Sequence, residues 1–315
     1  MTRRGTRTDK TVQGILIILA SVCMMSFNDA MVKLVSSDLT VWQVFFARSL
    51  FAIPVLLLIC RLAKVSFTLK APKWVLFRSV LLILSWIVFY ASLPVLSLSV
   101  AAVAMYTNPI FTALLSALII GEPVSKRQWV GVLLGFLGVL VILKPGTDAF
   151  SWFTLLPLLG AALYSSAMIL TRSKCQDEAP LNLALNLHVA FFVTGLLVSA
   201  LLFLFGLEAA TKNSFPFLFG DWFSMALEHW GLMAFLGVLS AVFFVGVARA
   251  YQIAPPSIIG TFDYGYLVSA VIWGLVFFSE KPDLLTISGM ILITVAGFLV
   301  AISKGVNQHQ ERDAM

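Results

Sequence analysis

Apolar residues in this chain come in long runs, interrupted at fairly regular intervals by short clusters containing Arg, Lys, Pro, Gly and Asp. About 20 mainly apolar residues in a helix cross roughly 30 Å of hydrocarbon. Ten stretches meet or nearly meet that length: 13–33, 42–60, 74–93, 98–118, 127–144, 152–171, 184–206, 230–249, 256–278 and 285–303. No water is present in lipid to satisfy the backbone, so each segment must close its own hydrogen bonds. The two-residue alternation of a membrane barrel is absent, and helix is the element predicted throughout.

The ten segments fall into two fives. Displacing the chain by 158 positions lays Ser99 on Ser257, Tyr106 on Tyr264, Glu122 on Glu280, Gly131 on Gly289 and Leu134 on Leu292 without a gap. Earlier in the halves a displacement of 137 pairs Ala30 with Ala167 and Met31 with Met168. An odd number of spans per copy turns the two copies opposite ways. The expected fold is therefore an all-α polytopic membrane protein with ten transmembrane helices in two inverted five-helix repeats. The first repeat spans 13–144 and the second 152–303, flanked by tails 1–12 and 304–315. The change of displacement places an insertion at 207–229. Its residues Phe215, Phe217, Phe219, Trp222 and Phe223 suit the outer membrane interface.

Composition agrees: 60% hydrophobic residues and a mean hydropathy of +0.98 exceed what a soluble domain carries. The net charge of +6 does not point to nucleic acid, because the cations sit in short loops between apolar spans. They report orientation instead. With the N-terminus inside, only Lys33, Lys144, Lys212 and Lys281 fall outside, and Arg48 lies within a span. The remaining Lys and Arg, Arg78 among them, fall on the cytoplasmic side, as the positive-inside rule requires. Both termini are thus expected in the cytoplasm and the chain in a cell inner membrane. The first apolar run carries Asn28, Asp29 and Lys33 and lacks an Ala-x-Ala site, so it is expected to be a retained helix and not a signal peptide. Cys23, Cys60 and Cys175 are odd in number and offer no disulfide framework.

Several repeated residues have structural explanations. Glu122 and Glu280 precede helix starts, where the dipole favours acids. Ser125 and Gln128 have capping-box spacing, and Asp283 can cap the last helix. Gly131, Gly135 and Gly138, with Gly289 and Gly297, give two helices the small faces that allow close approach. These two helices are expected to be scaffold or a dimer contact, leaving monomer or homodimer open.

Two five-helix halves, each closing with Glu, a short capped turn and a Gly-rich helix, resemble the EamA family of the drug/metabolite transporter superfamily over nearly the whole chain. The runs Phe27-Asn28-Asp29-Ala30-Met31-Val32-Lys33 and Phe45-Phe46-Ala47-Arg48-Ser49-Leu50 are similar to the first two helices of members assigned to riboflavin or S-adenosylmethionine uptake. The resemblance implies a ten-helix carrier in which helices 5 and 10 support a central cavity.

Ionisable groups inside a span need a partner or a wet cavity. Asp29 and Lys33 have the spacing and order of a favourable helical pair. Arg48 is placed to anchor Asp29 or to meet an anionic substrate group. Asp263 precedes Tyr264 and Tyr266, and helical geometry puts Asp263 and Tyr266 on one face. Burial disfavours the charged form of a carboxylate, so Asp29 and Asp263 are the proton-coupling candidates. His188 has no second ligand at metal spacing and is a candidate substrate contact or helix-to-helix hydrogen bond; no metal and no cofactor are expected. Trp86 and Tyr90 at i,i+4, with Asn28, Tyr106, Asn108, Tyr164, Tyr264 and Tyr266, fit a polar, ring-bearing organic substrate. Pro54, Pro109 and Pro157 can kink spans.

The function expected is secondary transport of a small organic metabolite by alternating access, with uptake of riboflavin or a similar vitamin placed first. S-adenosylmethionine, amino acids and other metabolites, moved in either direction, form the alternative. A membrane-embedded transferase is the rival of another class. It lacks support from any Asp-rich motif, His/Glu metal spacing or Gly-rich nucleotide loop. No filter-like loop or Walker sequence suggests a channel or a nucleotide-driven pump.

Overall fold

The structure is a computed structural model that describes residues 11–120, 126–143, 151–263 and 265–313. In chain order its helices are α1 (Thr11–Leu34), α2 (Val41–Leu62), α3 (Pro72–Ser92), α4 (Leu98–Met105), α5 (Asn108–Leu115), α6 (Lys126–Leu143), α7 (Leu155–Ser173), α8 (Pro180–Phe205), α9 (Ala209–Ser214), α10 (Pro216–Phe219), α11 (Leu227–Ile253), α12 (Pro256–Phe262), α13 (Gly265–Phe278) and α14 (Leu284–Asp313). A π-turn at Ser116–Ile120 prolongs α5. No strand occurs among the described residues. Seven helical segments are long and apolar enough to cross a membrane, and Gly265–Phe278 and Leu284–Ala296 are shorter apolar ones.

Local chemistry sets the helix starts. Thr40 and Gln43 form a capping box at α2, with Gln43 N donating to Thr40 Oγ1 and Thr40 N to Gln43 Oε1, both at 3.2 Å. Pro72 and Pro180 open α3 and α8, where a missing N–H costs nothing. Asp283 Oδ1 accepts from Thr286 N at 2.8 Å and starts α14, as its position in the sequence suggested.

Two expected helices are not continuous. The span 98–118 breaks between α4 and α5 at Tyr106–Thr107, because Pro109 has no N–H to donate four residues back to Met105 and its ring would crowd that carbonyl, so it opens a new helix instead. The span 256–278 breaks at Asp263, just before Gly265 opens α13. Asp263 and Tyr266 therefore do not share one helical face; the Tyr266 N–H donates to the Asp263 carbonyl at 2.9 Å in a turn. Of the other prolines, Pro54 is carried inside α2 and Pro157 lies in the first turn of α7.

The bundle is apolar outside and polar within. Phe203, Phe205 and Leu118 are among the exposed residues, while Asn28, Asp29, Arg48, Arg78, His188 and Asp263 are buried. That inversion suits a lipid surround, where charge is tolerated only in the interior. Helices α6 and α14 pack along their length, as do α2 with α8, α3 with α7 and α1 with α11. At the α6–α14 contact a Cβ on Gly138 would lie 2.9 Å from the Gly289 carbonyl oxygen, so only glycine permits this approach. The 207–229 insertion folds into α9, α10 and a tail docked on α2. Trp42 Nε1 donates to Leu218 O and Gln43 Nε2 to Phe223 O, both at 2.7 Å, and Phe217 is buried.

Candidate functional site

The centre of the bundle holds a small void lined by Met25, Asp29, Trp86, Phe89, Met105, Tyr106, Asn108, Tyr164 and Tyr266. Its free core admits about one water, so no ring-bearing molecule fits without rearrangement. Helices α1, α3, α4, α5, α7 and α13 each contribute to this wall. The break in each interrupted span brings it there: Met105, Tyr106 and Asn108 flank the first, and Tyr266 follows the second.

Asp29 is the polar hub. Its Oδ1 accepts from Tyr90 OH at 2.9 Å and from Asn28 Nδ2 at 3.3 Å; its Oδ2 accepts from Tyr266 OH at 2.8 Å. Tyr90 OH in turn accepts from Arg48 Nη1 at 3.1 Å. The expected Arg48–Asp29 ion pair is thus replaced by a relay through Tyr90, which is long enough to stand between them. Arg48 lies against the Phe45 and Phe191 rings, at 6.0 and 5.4 Å from their centroids, with Nε and Nη2 unpartnered. Tyr106 and Tyr266 stack with centroids 4.5 Å apart.

The expected Asp29–Lys33 pair is also absent. Lys33 Nζ instead reaches Glu280 Oε1 at 2.7 Å and the Leu96 carbonyl at 2.8 Å. Glu280 also accepts from Leu98 N at 2.9 and 3.1 Å, so it caps α4 and not the helix that follows it in sequence. At the opposite end Arg172 Nη1 donates to Gln252 O at 2.8 Å, and Gln252 Nε2 donates to the Cys175 and Glu178 carbonyls at 3.0 and 2.8 Å.

The remaining expected site residues are distributed around this hub. Asp263 Oδ2 accepts from Tyr251 OH at 2.5 Å, Oδ1 is unpartnered, and the carboxylate is within electrostatic reach of Tyr106 and Tyr164 without lining the void. His188 stands apart, between Ser49 Oγ on α2 and Ser240 Oγ on α11 at 3.4 Å each, so it joins helices and does not line the void. Tyr264 and Glu122 lie outside the described residues. Gly131 and Gly289 are buried in α6 and α14. Met25, Phe89 and Met105 were not expected; spacing of three or four from Asp29 and Trp86 marks the first two. Arg78, counted among the loop cations, is buried instead.

Three polar atoms on the wall of the void have no hydrogen-bond partner. Trp86 Nε1 offers a donor, Asn108 Oδ1 an acceptor and Tyr164 OH both, all buried and unpartnered. With aromatic faces between them, they suit an organic molecule carrying rings and polar groups. Among the described residues no group of three or more His, Cys, Asp or Glu is placed to hold a metal.

Residues 12–144 match the EamA-like transporter family. The chain carries an EamA-like domain, and the relatives it matches are transporters of the drug/metabolite transporter superfamily. This EamA-like protein is 28% identical over 298 residues to a pseudopaline exporter of Pseudomonas aeruginosa, covering 94% of this chain and 98% of that one. It is 24% identical over 294 residues to an S-adenosylmethionine uptake transporter of Rickettsia prowazekii, covering 93% and 94%. It is 28% identical over 251 residues to a riboflavin transporter of Rhizobium johnstonii, covering 78% and 74%. A crystal structure superposes with a TM-score of 0.65 over 92% of this chain and 97% of the other at 17% identity, a likeness of fold. The EamA-like chain is a multi-pass membrane transporter and not an enzyme.

Proposed function

We propose that the protein is a ten-helix secondary carrier of a small, ring-bearing organic metabolite, built from two inverted five-helix repeats that rock around the Asp29 void. Riboflavin or a similar vitamin is the first candidate cargo, and S-adenosylmethionine and amino-acid-type metabolites the second. The carrier sits in a cell inner membrane with both termini in the cytoplasm, as monomer or homodimer. Asp29, Trp86, Tyr106, Asn108, Tyr164 and Tyr266 contact the substrate, with Asn28, Arg48 and Tyr90 behind Asp29. Asp29 and Asp263 exchange the coupling protons.

The observation that carries this reading is the small central void, whose wall sets unpartnered donors and acceptors beside aromatic rings. Helix pairing supports the repeats: α3 packs on α7 as α11 packs on α1, and exchanging the two halves turns one pair into the other. The Lys33 tie to Leu96 O and the Arg172 tie to Gln252 O exchange in the same way. Discontinuous helices at a shared central site are a recurrent basis for alternating access.

The test is uptake into proteoliposomes of labelled riboflavin, S-adenosylmethionine and amino acids, with and without a pH gradient and in both orientations. The similarity to an exporter over 98% of its length makes the second orientation necessary. Saturable uptake of one candidate is expected, and its absence for all of them rejects the carrier.

A further inference from the structure

Arg78 is a buried guanidinium that has no part in the proposed function. It stands eight residues before Trp86 on α3, about 12 Å along the helix from the void. Across the α3–α7 seam, Thr171 stands seven residues after Tyr164, about 10.5 Å in the same direction. Arg78 Nε donates to Thr171 Oγ1 at 2.6 Å, and Thr171 Oγ1 donates to Ala167 O at 2.8 Å. Nη1 has no partner, although the residue is only 1% exposed. No Asp or Glu among the described residues pairs with it. The Glu178 carboxylate, in the same region, is held by Ala71 N at 2.6 Å through Oε1.

A guanidinium keeps its proton in any protein environment. A permanent cation with an open donor, buried without a counter-charge, is strongly unfavourable in a lipid-embedded bundle. The arrangement is relieved when the end where α3 begins and α7 ends opens and an acid group reaches the guanidinium, whose planar fork suits carboxylate or phosphate. The ties from Arg172 and Gln252, with Asn182 Nδ2 donating to Ser66 O at 2.8 Å, close that end. Between the void and Arg78 lies Tyr164, whose hydroxyl is unpartnered and which is an electrostatic neighbour of Arg78.

We infer that Arg78 and Thr171 form a subsite for the carboxylate or phosphate group of a transported molecule, on the path between the central void and the end where α3 begins. This rests on the carrier reading and narrows its cargo to molecules with an acid group, which places S-adenosylmethionine, amino-acid-type metabolites or a phosphate-bearing flavin ahead of neutral riboflavin. Burial within the α3–α7 seam keeps lipid headgroups away from it.

Two measurements on the full-length protein test the inference. In detergent, inorganic phosphate and succinate are compared with chloride at equal ionic strength by thermal shift. Stabilisation by both is expected, lost in Arg78→Gln and kept in Arg249→Gln, which removes an exposed charge near the end of α11. In proteoliposomes, Arg78→Gln is expected to reduce uptake of a phosphate-bearing flavin at least about tenfold more than that of the neutral flavin. No anion stabilisation of the wild type, or equal stabilisation of Arg78→Gln, overturns the subsite. Equal loss for charged and neutral cargo, reproduced by Glu178→Gln, also overturns it and makes Arg78 a gate residue. Should Arg78→Gln not fold, Arg78→Lys keeps the charge without the fork; unchanged phosphate affinity there overturns the subsite too. If the wild type takes up no candidate, the carrier reading fails and the anion-binding measurement alone decides the subsite.

Discussion

Lys33 and Glu280, 247 positions apart in the chain, meet at 2.7 Å, and the same carboxylate caps α4 through Leu98 N. One side chain thereby ties the ends of α1 and α13 to the start of α4. Replacing Glu280 by Ala leaves the half-buried ammonium with the Leu96 carbonyl alone and Leu98 N without its acceptor. The expected loss is about 1–3 kcal/mol, below that of a fully buried pair. Glu280→Gln keeps an acceptor for Leu98 N and should lose less. Thermal unfolding of both variants under identical detergent conditions checks the order; equal stability of Glu280→Ala and wild type refutes it.

Asp29 gathers hydrogen bonds from Tyr90, Tyr266 and Asn28, joining three helices. An amide of the same shape retains acceptor capacity at one oxygen only and carries no exchangeable charge. Asp29→Asn is expected to fold and bind substrate while losing proton-driven accumulation. Uptake by Asp29→Asn and Asp263→Asn, measured with and without an imposed pH gradient, separates the two acids. A gradient response unchanged in both variants removes them from the coupling role.

Asn108 Oδ1 is buried without a partner, so its carbonyl is a cost to folding and an opportunity for a ligand. Asn108→Leu should leave the protein at least as stable as wild type yet weaken substrate about tenfold, a difference of about 1.4 kcal/mol. Paired melting and binding curves read the two effects separately. A parallel fall in both would place Asn108 among ordinary packing residues.

Gly237 and Gly231 lie on the same helix, α11, in opposite circumstances. A Cβ at Gly237 would come 2.5 Å from the Arg48 carbonyl oxygen, whereas one at Gly231 would meet nothing within 4 Å. Gly237→Val should abolish well-folded protein by forcing α11 off α2. Gly231→Ala should be neutral or stabilising by up to about 1 kcal/mol, from helix propensity. Yield of monodisperse protein on size exclusion distinguishes them.

Much of this was legible in the sequence because polar residues stand out inside apolar runs. Asp29, Trp86, Tyr106, Asn108, Tyr164 and Tyr266 were singled out that way, and the structure gathers them round one void. Met25, Phe89 and Met105 match the apolar background and carry no such contrast. His188 had contrast too, but helix rotation turns it toward Ser49 and Ser240, and in lipid a helix apolar on every side gives rotation little signature. Arg78 was missed because a count of loop cations treats an arginine near a helix start as a solvated one. The break before Pro109 had a visible cause, whereas the one at Asp263 has no proline to announce it.

The central void admits about one water when it is empty. On the proposed carrier reading, a chamber this small needs no passenger to fill it during the return stroke, and uptake into vesicles that hold no substrate inside is expected to match uptake into preloaded ones.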